Sequence, residues 1–270
     1  MHRVTGQVSV AVGATRCAPS RDGGASVATG SFPLVLFVGG RQIDVSQYDS
    51  VCAHLASWGL VALMLPAGAI TSTVQEEAAG VRAALDWALS TSSGLSGAID
   101  TASVATAGHS SGGAAAVLAA ALDARIGAVV GWDPVDASSH SIAPELMVGF
   151  TRPLAVLGET LDSSGGFQPC APAADNFTQF FSAADGPALQ VTLAGAAHMD
   201  FVDDRAACGF ACSACQTGTA DGAVVHSLAR RTTVAFLRRH LLGEAAMDRW
   251  LTGAGMQADA AAGRLAFTSK

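Results

Sequence analysis

The stretch SVATAGHSSGGAAAVLAAAL, residues 103–122, constrains the fold more than any other part of the sequence. Its beginning, Ser103–Ala107, predicts a short buried strand, and its end, Gly112–Leu122, predicts a helix of small residues. Between them lies the pattern G-x-S-x-G. A serine between a strand and a helix is held on a tight turn, and the flanking glycines let the helix approach the strand closely. The stretch therefore predicts a parallel α/β sheet that presents Ser110 at a strand end.

Apolar runs that alternate with helical patterns extend this prediction along the chain. Continuous or alternating apolar runs predict further strands at Gln7–Val12, Pro33–Val38, Leu60–Leu65, Ile126–Trp132, Leu154–Leu157 and Leu189–Ala194. Helical spacing predicts helices at Tyr48–Ser57, Val74–Leu89 and Val224–Leu242. The expected fold class is α/β, with a mostly parallel central sheet and helices on both faces. We expect one domain over residues 1–270, in which residues 244–270 form a capping appendage.

Composition excludes several classes of protein. The net charge of −7 argues against nucleic acid as a partner, because nucleic-acid binders carry clustered basic residues. Half of the residues are hydrophobic and only 14% are charged, so the chain can bury a large core. The longest apolar stretch, Gly113–Leu122, is much shorter than the roughly 20 residues that span a bilayer. We therefore predict no transmembrane segment, and the first residues show no secretory signal peptide.

A histidine must take the proton of a serine hydroxyl before the serine can attack a substrate. Where G-x-S-x-G follows a strand, the chain order is serine, then an acid, then histidine. His198 follows the last predicted strand, in AGAAHMDF, where this histidine is expected. His226 and His240 belong to the long C-terminal helix, and His140 lies in a loop. We predict that Ser110 is the nucleophile and His198 its base.

Two aspartates are candidates for the acid that orients the histidine. Asp133 ends the strand AVVGWD directly before Pro134, and Asp162 follows the next strand, which is the commoner location. Either carboxylate could accept the imidazole N–H and stabilise the imidazolium. Glu159 and Asp136 are less well placed. The residues by themselves leave Asp133 and Asp162 as equal alternatives.

Two backbone N–H groups usually hold the oxygen that becomes negative during acyl transfer. One is expected from Ser111, the residue after the nucleophile. The other is expected from the loop that follows Pro33–Val38, which reads GGRQ, and Arg41 is the candidate. We expect the Arg41 side chain to be solvated at the mouth of the cleft. This chemistry requires no cofactor and no metal.

Three of the six cysteines lie in the segment CGFACSAC, a spacing that also suggests zinc. Structural zinc usually takes four ligands from two CxxC-like pairs, and only one pair is clear here. We therefore expect disulfides to hold this loop, with Cys170 as a candidate partner. The cysteines are Cys17, Cys52, Cys170, Cys208, Cys212 and Cys215.

Several segments, taken in chain order, resemble plant chlorophyllases. GHSSGG resembles the GHSRGG of that family, and GWDPVD resembles its stretch around Asp-Pro-Val. QPCAPAADNFTQFF resembles its PCAP segment, AAHMDFVDD its GHxDMLDD segment and VAFLRRHLLG its C-terminal helix. The similarity extends from Phe32 to Gly243, and the PCAP and HMDFVDD segments are far more specific than G-x-S-x-G.

The resemblance implies an α/β-hydrolase fold and hydrolysis of the phytyl ester of chlorophyll to chlorophyllide and phytol. The family's serine, aspartate and histidine fall on Ser110, Asp133 and His198, which favours Asp133 as the acid. Two departures concern the mouth of the site: the family's His-Gly is Gly39-Gly40 here, and the arginine after the nucleophile is Ser111.

The leading prediction is a serine carboxylic-ester hydrolase that acts on a hydrophobic ester through an acyl-enzyme. The alternative within the same chemistry is a polyester or short-chain esterase related to cutinase, whose acid would be Asp162. The alternative from another class is a non-catalytic binding protein with the α/β-hydrolase fold. Such relatives usually lack the serine or the histidine, whereas this chain has both Ser110 and His198.

Overall fold

One sheet runs through the computed structural model, which describes residues 6–7, 15–20, 30–95, 97–136, 141–143, 145–161 and 169–270. The strands of these ranges are β1 (Gly6–Gln7), β2 (Thr15–Cys17), β3 (Phe32–Val38), β4 (Val61–Leu65), β5 (Ile99–His109), β6 (Ile126–Trp132), β7 (Leu154–Glu159), β8 (Ala188–Leu193) and β9 (Leu265–Ser269). Their order across the sheet is β1-β2-β4-β3-β5-β6-β7-β8-β9. Neighbouring strands from β4 to β8 are parallel, and β1, β2 and β9 pair antiparallel at the edges.

Helices cover both faces of the sheet. They are α1 (Asp49–Ser57), α2 (Val74–Leu89), α3 (Ser111–Leu122), α4 (Phe177–Ala183), α5 (Phe210–Ala214), α6 (Gly222–Leu242) and α7 (Ala254–Ala261). The apolar side chains of α1, α6 and α7 share one core cluster, and those of α2, α3 and α4 share the other. Successive residues of a strand point to opposite faces, so Val35 and Phe37 enter the first cluster and Leu34 and Leu36 the second.

The predicted fold class is confirmed: the sheet is mostly parallel and lies between two layers of helices. Helix α2 and strand β6 have the predicted bounds, β3 and β4 differ from them by one residue at their first end, and β8 is shifted by one residue at both ends. The predicted strands Ser103–Ala107 and Leu154–Leu157 were too short, because β5 continues to His109 and β7 to Glu159. Of the predicted strand Gln7–Val12, residues 8–12 lie outside the described residues.

Residues 244–270 contribute to the sheet itself. After a 3₁₀ helix at Ala245–Trp250 and helix α7, strand β9 pairs antiparallel with β8. This segment was predicted only as a cap, because β9 is an exposed edge strand without a continuous apolar run. Strand β2 and helix α4 were also missed, and both are too short for a clear period.

All six cysteines form disulfides: Cys17–Cys52, Cys170–Cys215 and Cys208–Cys212. The expectation that disulfides hold the CGFACSAC loop, with Cys170 as a partner, is confirmed. The disulfide Cys17–Cys52 was not predicted from the sequence, and it joins β2 to α1. In the described ranges no group of three or more His, Cys, Asp or Glu side chains could hold a metal ion.

No described helix is both long and apolar enough to cross a membrane.

The disulfides should contribute to stability according to the length of chain that each one closes. Cys17–Cys52 joins residues 35 apart in sequence and Cys208–Cys212 residues 4 apart. Loop-closure entropy then predicts that replacing both cysteines by alanine lowers the free energy of unfolding by about 4 kcal/mol for the first pair and about 2 kcal/mol for the second. Denaturant titration of the two double variants tests this ranking, and a larger loss for Cys208–Cys212 would contradict it.

Candidate active site

Ser110 lies at a strained turn between β5 and α3. Its backbone has φ 57° and ψ −130°, a region that residues other than glycine rarely occupy. A Cβ on Gly108 would overlap the carbonyl oxygen of Gly112, and a Cβ on Gly112 would overlap the carbonyl oxygen of Gly39. The glycines of G-x-S-x-G are therefore required by backbone contact, which holds the start of α3 against the loop after β3.

His198 contacts both Ser110 and Asp133. It begins a 3₁₀ helix, His198–Phe201, a few residues after β8. Its Nε2 lies 2.9 Å from Ser110 Oγ, and its Nδ1 lies 2.6 Å from Asp133 Oδ2. Because a carboxylate only accepts hydrogen bonds, Nδ1–H donates to Asp133, and Nε2 is left to accept the serine O–H. The side chains of His198 and Asp133 are 2% and 0% exposed.

Of the two candidate acids, the structure brings Asp133 to His198. Asp133 directly follows β6 with φ 40°, and its N–H donates to the carbonyl of Leu157 on β7. This bond and the following Pro134, which packs against Gly131, fix the direction of the side chain. Asp162 lies outside the described residues.

The two predicted oxyanion donors lie on adjacent segments. Ser111 opens α3, where the first N–H groups of a helix have no partner within the helix. Arg41 lies in the loop after β3 that α3 contacts. The N–H groups of the two residues before Arg41 already donate to other partners: that of Gly39 to Leu65 O and that of Gly40 to Tyr48 Oη.

The side chain of Arg41 is held against α2, contrary to the expectation that it is solvated. Its Nη2 donates to Ser72 O at 3.0 Å and to Glu77 Oε1 at 3.1 Å. Glu77 is buried on α2, and its burial raises the pKa of the carboxyl while the Arg41 guanidinium opposes the rise. This ion pair fixes the loop that carries the Arg41 N–H.

A second hydrogen-bond chain joins the same loop to His198. Gly40 N–H donates to Tyr48 Oη at 2.8 Å, and Tyr48 Oη lies 2.8 Å from His109 Nδ1. His109 Nε2 lies 3.0 Å from the carbonyl oxygen of His198. That carbonyl can only accept, so Nε2 of His109 donates and Nδ1 accepts the Tyr48 O–H.

Burial keeps the side chains of Tyr48 and His109 uncharged. Desolvation, reinforced by nearby His198, holds the pKa of His109 well below its ordinary value, and desolvation raises the pKa of Tyr48. Each hydrogen-bonding group in the chain therefore has one defined direction, from the loop after β3 to the backbone of His198.

Glu159 is a further buried carboxyl group beside Asp133. It is the last residue of β7 and is 3% exposed. Burial and then the charge of Asp133 raise the pKa of Glu159 to about 10. The group is therefore protonated at neutral pH.

Sequence reasoning missed the roles of four buried residues: Tyr48, Glu77, His109 and Glu159. Tyr48 is the only tyrosine of the chain, but nothing in its neighbourhood indicates that it contacts the loop after β3. His109 occupies a position that G-x-S-x-G leaves unspecified. Glu159 was considered only as a less suitable acid, because the strand was predicted to end before it.

The strand order, with a serine after β5 and a histidine after β8, defines an α/β-hydrolase. The model of the family described as Chlorophyllase matches residues 24–255. The protein therefore belongs to the chlorophyllase family, as its sequence segments predicted.

Curated relatives lie within the same family. The chain is 29% identical over 252 residues to Chlorophyllase-1 of Arabidopsis thaliana, which covers 82% of this chain and 75% of the relative. It is 26% identical over 219 residues to Chlorophyllase-2 of the same species, covering 70% and 68%. It is 28% identical over 190 residues to the chloroplastic Chlorophyllase-1 of Citrus unshiu, covering 65% and 57%. These similarities support a chlorophyllase-like hydrolase.

The hydroxyl of Tyr48 should stabilise the fold through its two partners. Tyr48→Phe leaves the N–H of Gly40 and Nδ1 of His109 unpaired in the core, which costs about 2–4 kcal/mol of the free energy of unfolding. Thr232→Val is the matched control, because Thr232 Oγ1 is buried without a hydrogen-bond partner among the described residues. Denaturant titration should show a loss of less than about 1 kcal/mol for this control. Equal losses for Tyr48→Phe and Thr232→Val would contradict the hydrogen-bond chain assigned from Gly40 through Tyr48 to His109.

Proposed function

We propose that the protein is a serine carboxylic-ester hydrolase that works through an acyl-enzyme without a cofactor. One observation carries the proposal: His198 bridges Ser110 and Asp133 through its two ring nitrogens. The strain at Ser110 supports it further, because strained backbone is retained mainly where function uses it. That strain also argues against the alternative of a non-catalytic binding protein.

Ser110 Oγ attacks the carbonyl carbon of the ester while its proton passes to Nε2 of His198. Asp133 accepts the Nδ1–H and stabilises the resulting imidazolium. The tetrahedral intermediate collapses when the bond from carbon to the alcohol oxygen breaks, and His198 returns the proton to that oxygen. The same steps with water as the nucleophile then release the acid and restore Ser110.

The negative oxygen of the tetrahedral intermediate would be bound by the N–H groups of Ser111 and Arg41. Ser111 contributes a donor from the first turn of α3, where the helix dipole also favours negative charge. The Arg41–Glu77 ion pair and the Gly40–Tyr48 bond support the second donor by fixing its loop. Removing one such donor typically costs about 3 kcal/mol in the barrier.

The proposed substrate is the phytyl ester of chlorophyll, which would give chlorophyllide and phytol. Support comes from the family match and from relatives that carry the name chlorophyllase. This chain has small, buried residues next to the turn at Ser110, Gly39 and Gly40 after β3 and Ser111 after the nucleophile, where the resemblance to the family places His-Gly and arginine. A polyester or short-chain esterase remains the alternative for this reason.

A serine-directed phosphonate should label Ser110 only. Ser110→Ala should abolish labelling and lower kcat by about 10⁶-fold, the size of effect seen when subtilisin loses its nucleophile. Ser111→Ala is the matched control: it removes a neighbouring hydroxyl and keeps the backbone N–H, so it should still be labelled. Peptide mapping by mass spectrometry identifies the modified residue. Labelling of Ser111, or of Ser110→Ala, would refute the assignment.

A substrate panel should distinguish the proposed substrate from the alternatives. We expect hydrolysis of chlorophyll, seen as chlorophyllide that partitions into the aqueous phase, and little release of monomers from an aliphatic polyester film. Short p-nitrophenyl esters measure the shared chemistry, and Ser110→Ala gives the background for each substrate. Hydrolysis of the film or of short esters without hydrolysis of chlorophyll would favour the alternative esterase.

A further inference from the structure

Glu159 lies on the strand between the two strands that lead to Asp133 and His198. In the sheet, β7 separates β6, which Asp133 follows, from β8, which His198 follows. Glu159 pairs with Leu193 on β8, and Leu157, two residues earlier, pairs with Trp132 on β6. The last residue of β7 therefore lies where the ends of all three strands meet.

The side chain of Glu159 points to the face of the sheet that holds His198. The preceding Gly158 faces α4, since a Cβ there would overlap the ring of Phe177. Neighbouring residues of a strand point to opposite faces, so Glu159 faces away from α4. Leu157 and Leu193, on that same face, pack in the core cluster that contains the residues following His198.

Neither carboxyl oxygen of Glu159 has a hydrogen-bond donor among the described residues, and the charge of Asp133 acts on this buried group. A carboxylate only accepts hydrogen bonds, so Asp133 and Glu159 can bond to each other only if one is protonated. Asp133 already accepts the Nδ1–H of His198, which favours the charge on Asp133. Two negative charges at this depth would repel each other strongly.

Among the residues that the structure describes, the ionisable groups that act on Glu159 from the adjoining elements are Asp133, after β6, and His198, after β8. Burial makes the largest contribution to the raised pKa of the Glu159 carboxyl, and the charge of Asp133 raises this pKa further. A charge on His198 and the backbone N–H of Glu159 itself act in the opposite direction.

We propose that Glu159 is a positioning residue that stays protonated and donates its O–H to the Asp133 carboxylate. The pair then holds one proton and one negative charge, and the proton remains on Glu159 throughout the reaction. Asp133 accepts one hydrogen bond from Glu159 and one from His198, which fixes the plane of its carboxylate. The proposal rests on the proposed role of Asp133 as the acid.

The proton on Glu159 can be detected without any enzyme assay. From about pH 5 to pH 10 the folded protein holds a proton that the unfolded chain has lost, so rising pH favours unfolding. Tm of the wild type should therefore fall across this range more steeply than Tm of Glu159→Gln, whose amide does not titrate. Glu145→Gln, at an exposed position, is the matched control and should follow the wild type. Parallel curves for wild type and Glu159→Gln would overturn the proposal.

The pH dependence of kcat/KM tests the positioning role. Glu159→Leu removes the donor to Asp133 and should lower kcat/KM about tenfold, the effect of losing a hydrogen bond to a charged group. Glu159→Gln restores an N–H donor and should recover most of the loss. The acidic limb of the kcat/KM profile of Glu159→Gln should have the same midpoint as that of the wild type, because no charge near His198 has changed. A midpoint shifted to lower pH would mean that Glu159 is ionised in the wild type, and would refute the proposal.

The two experiments separate this inference from the proposed function. If no ester is hydrolysed but the Tm curves diverge as expected, the proposed function fails and the protonation of Glu159 stands. If esters are hydrolysed and the Tm curves are parallel, the function stands and the proposal for Glu159 fails.

Discussion

The backbone contact between β5, the start of α3 and the loop after β3 is the constraint on which the site depends. Gly108 and Gly112 allow this contact, because a side chain at either position would overlap a backbone carbonyl. The same contact places Ser110 in a strained conformation and brings the N–H of Ser111 beside the loop that carries Arg41. The remaining groups of the site come from strands β6, β7 and β8, whose carboxyl ends meet at the same edge of the parallel sheet.

Two links hold the loop after β3 in place, and they differ in physical character. The Arg41–Glu77 link is a half-buried ion pair with α2, in which a charged donor reaches a carboxyl that burial makes harder to ionise. The link through Tyr48 and His109 is uncharged and ends on the backbone of His198. A shift of the loop would therefore disturb the histidine, so the proposed oxyanion donor and the proposed base are positioned by one connected structure.

The sequence predicted the parts of this molecule that follow from local pattern. Buried strands such as β3 are continuous apolar runs, and Ser110 has a motif with a fixed structural setting. The pairing of Ser110 with His198 followed from chain order, but the choice between Asp133 and Asp162 needed a resemblance to a family. The roles of Tyr48 and His109 depend on contacts between residues 61 positions apart, and no local pattern encodes such a contact.

The charges in the proposed site favour one proton transfer over its competitors. Burial holds Tyr48, His109 and Glu159 in their neutral forms, although each could in principle carry a charge. Asp133 is then the one resting charge among these buried groups, and it faces the ring that becomes positive in the proposed mechanism. The ring centroid of His109 is 4.7 Å from that of His198, so a protonated His109 would repel the imidazolium. An ionised Glu159 would repel the negative charge on Asp133 and favour its protonation. In a low-dielectric interior these interactions are strong, so neutral neighbours let Asp133 act on His198 alone.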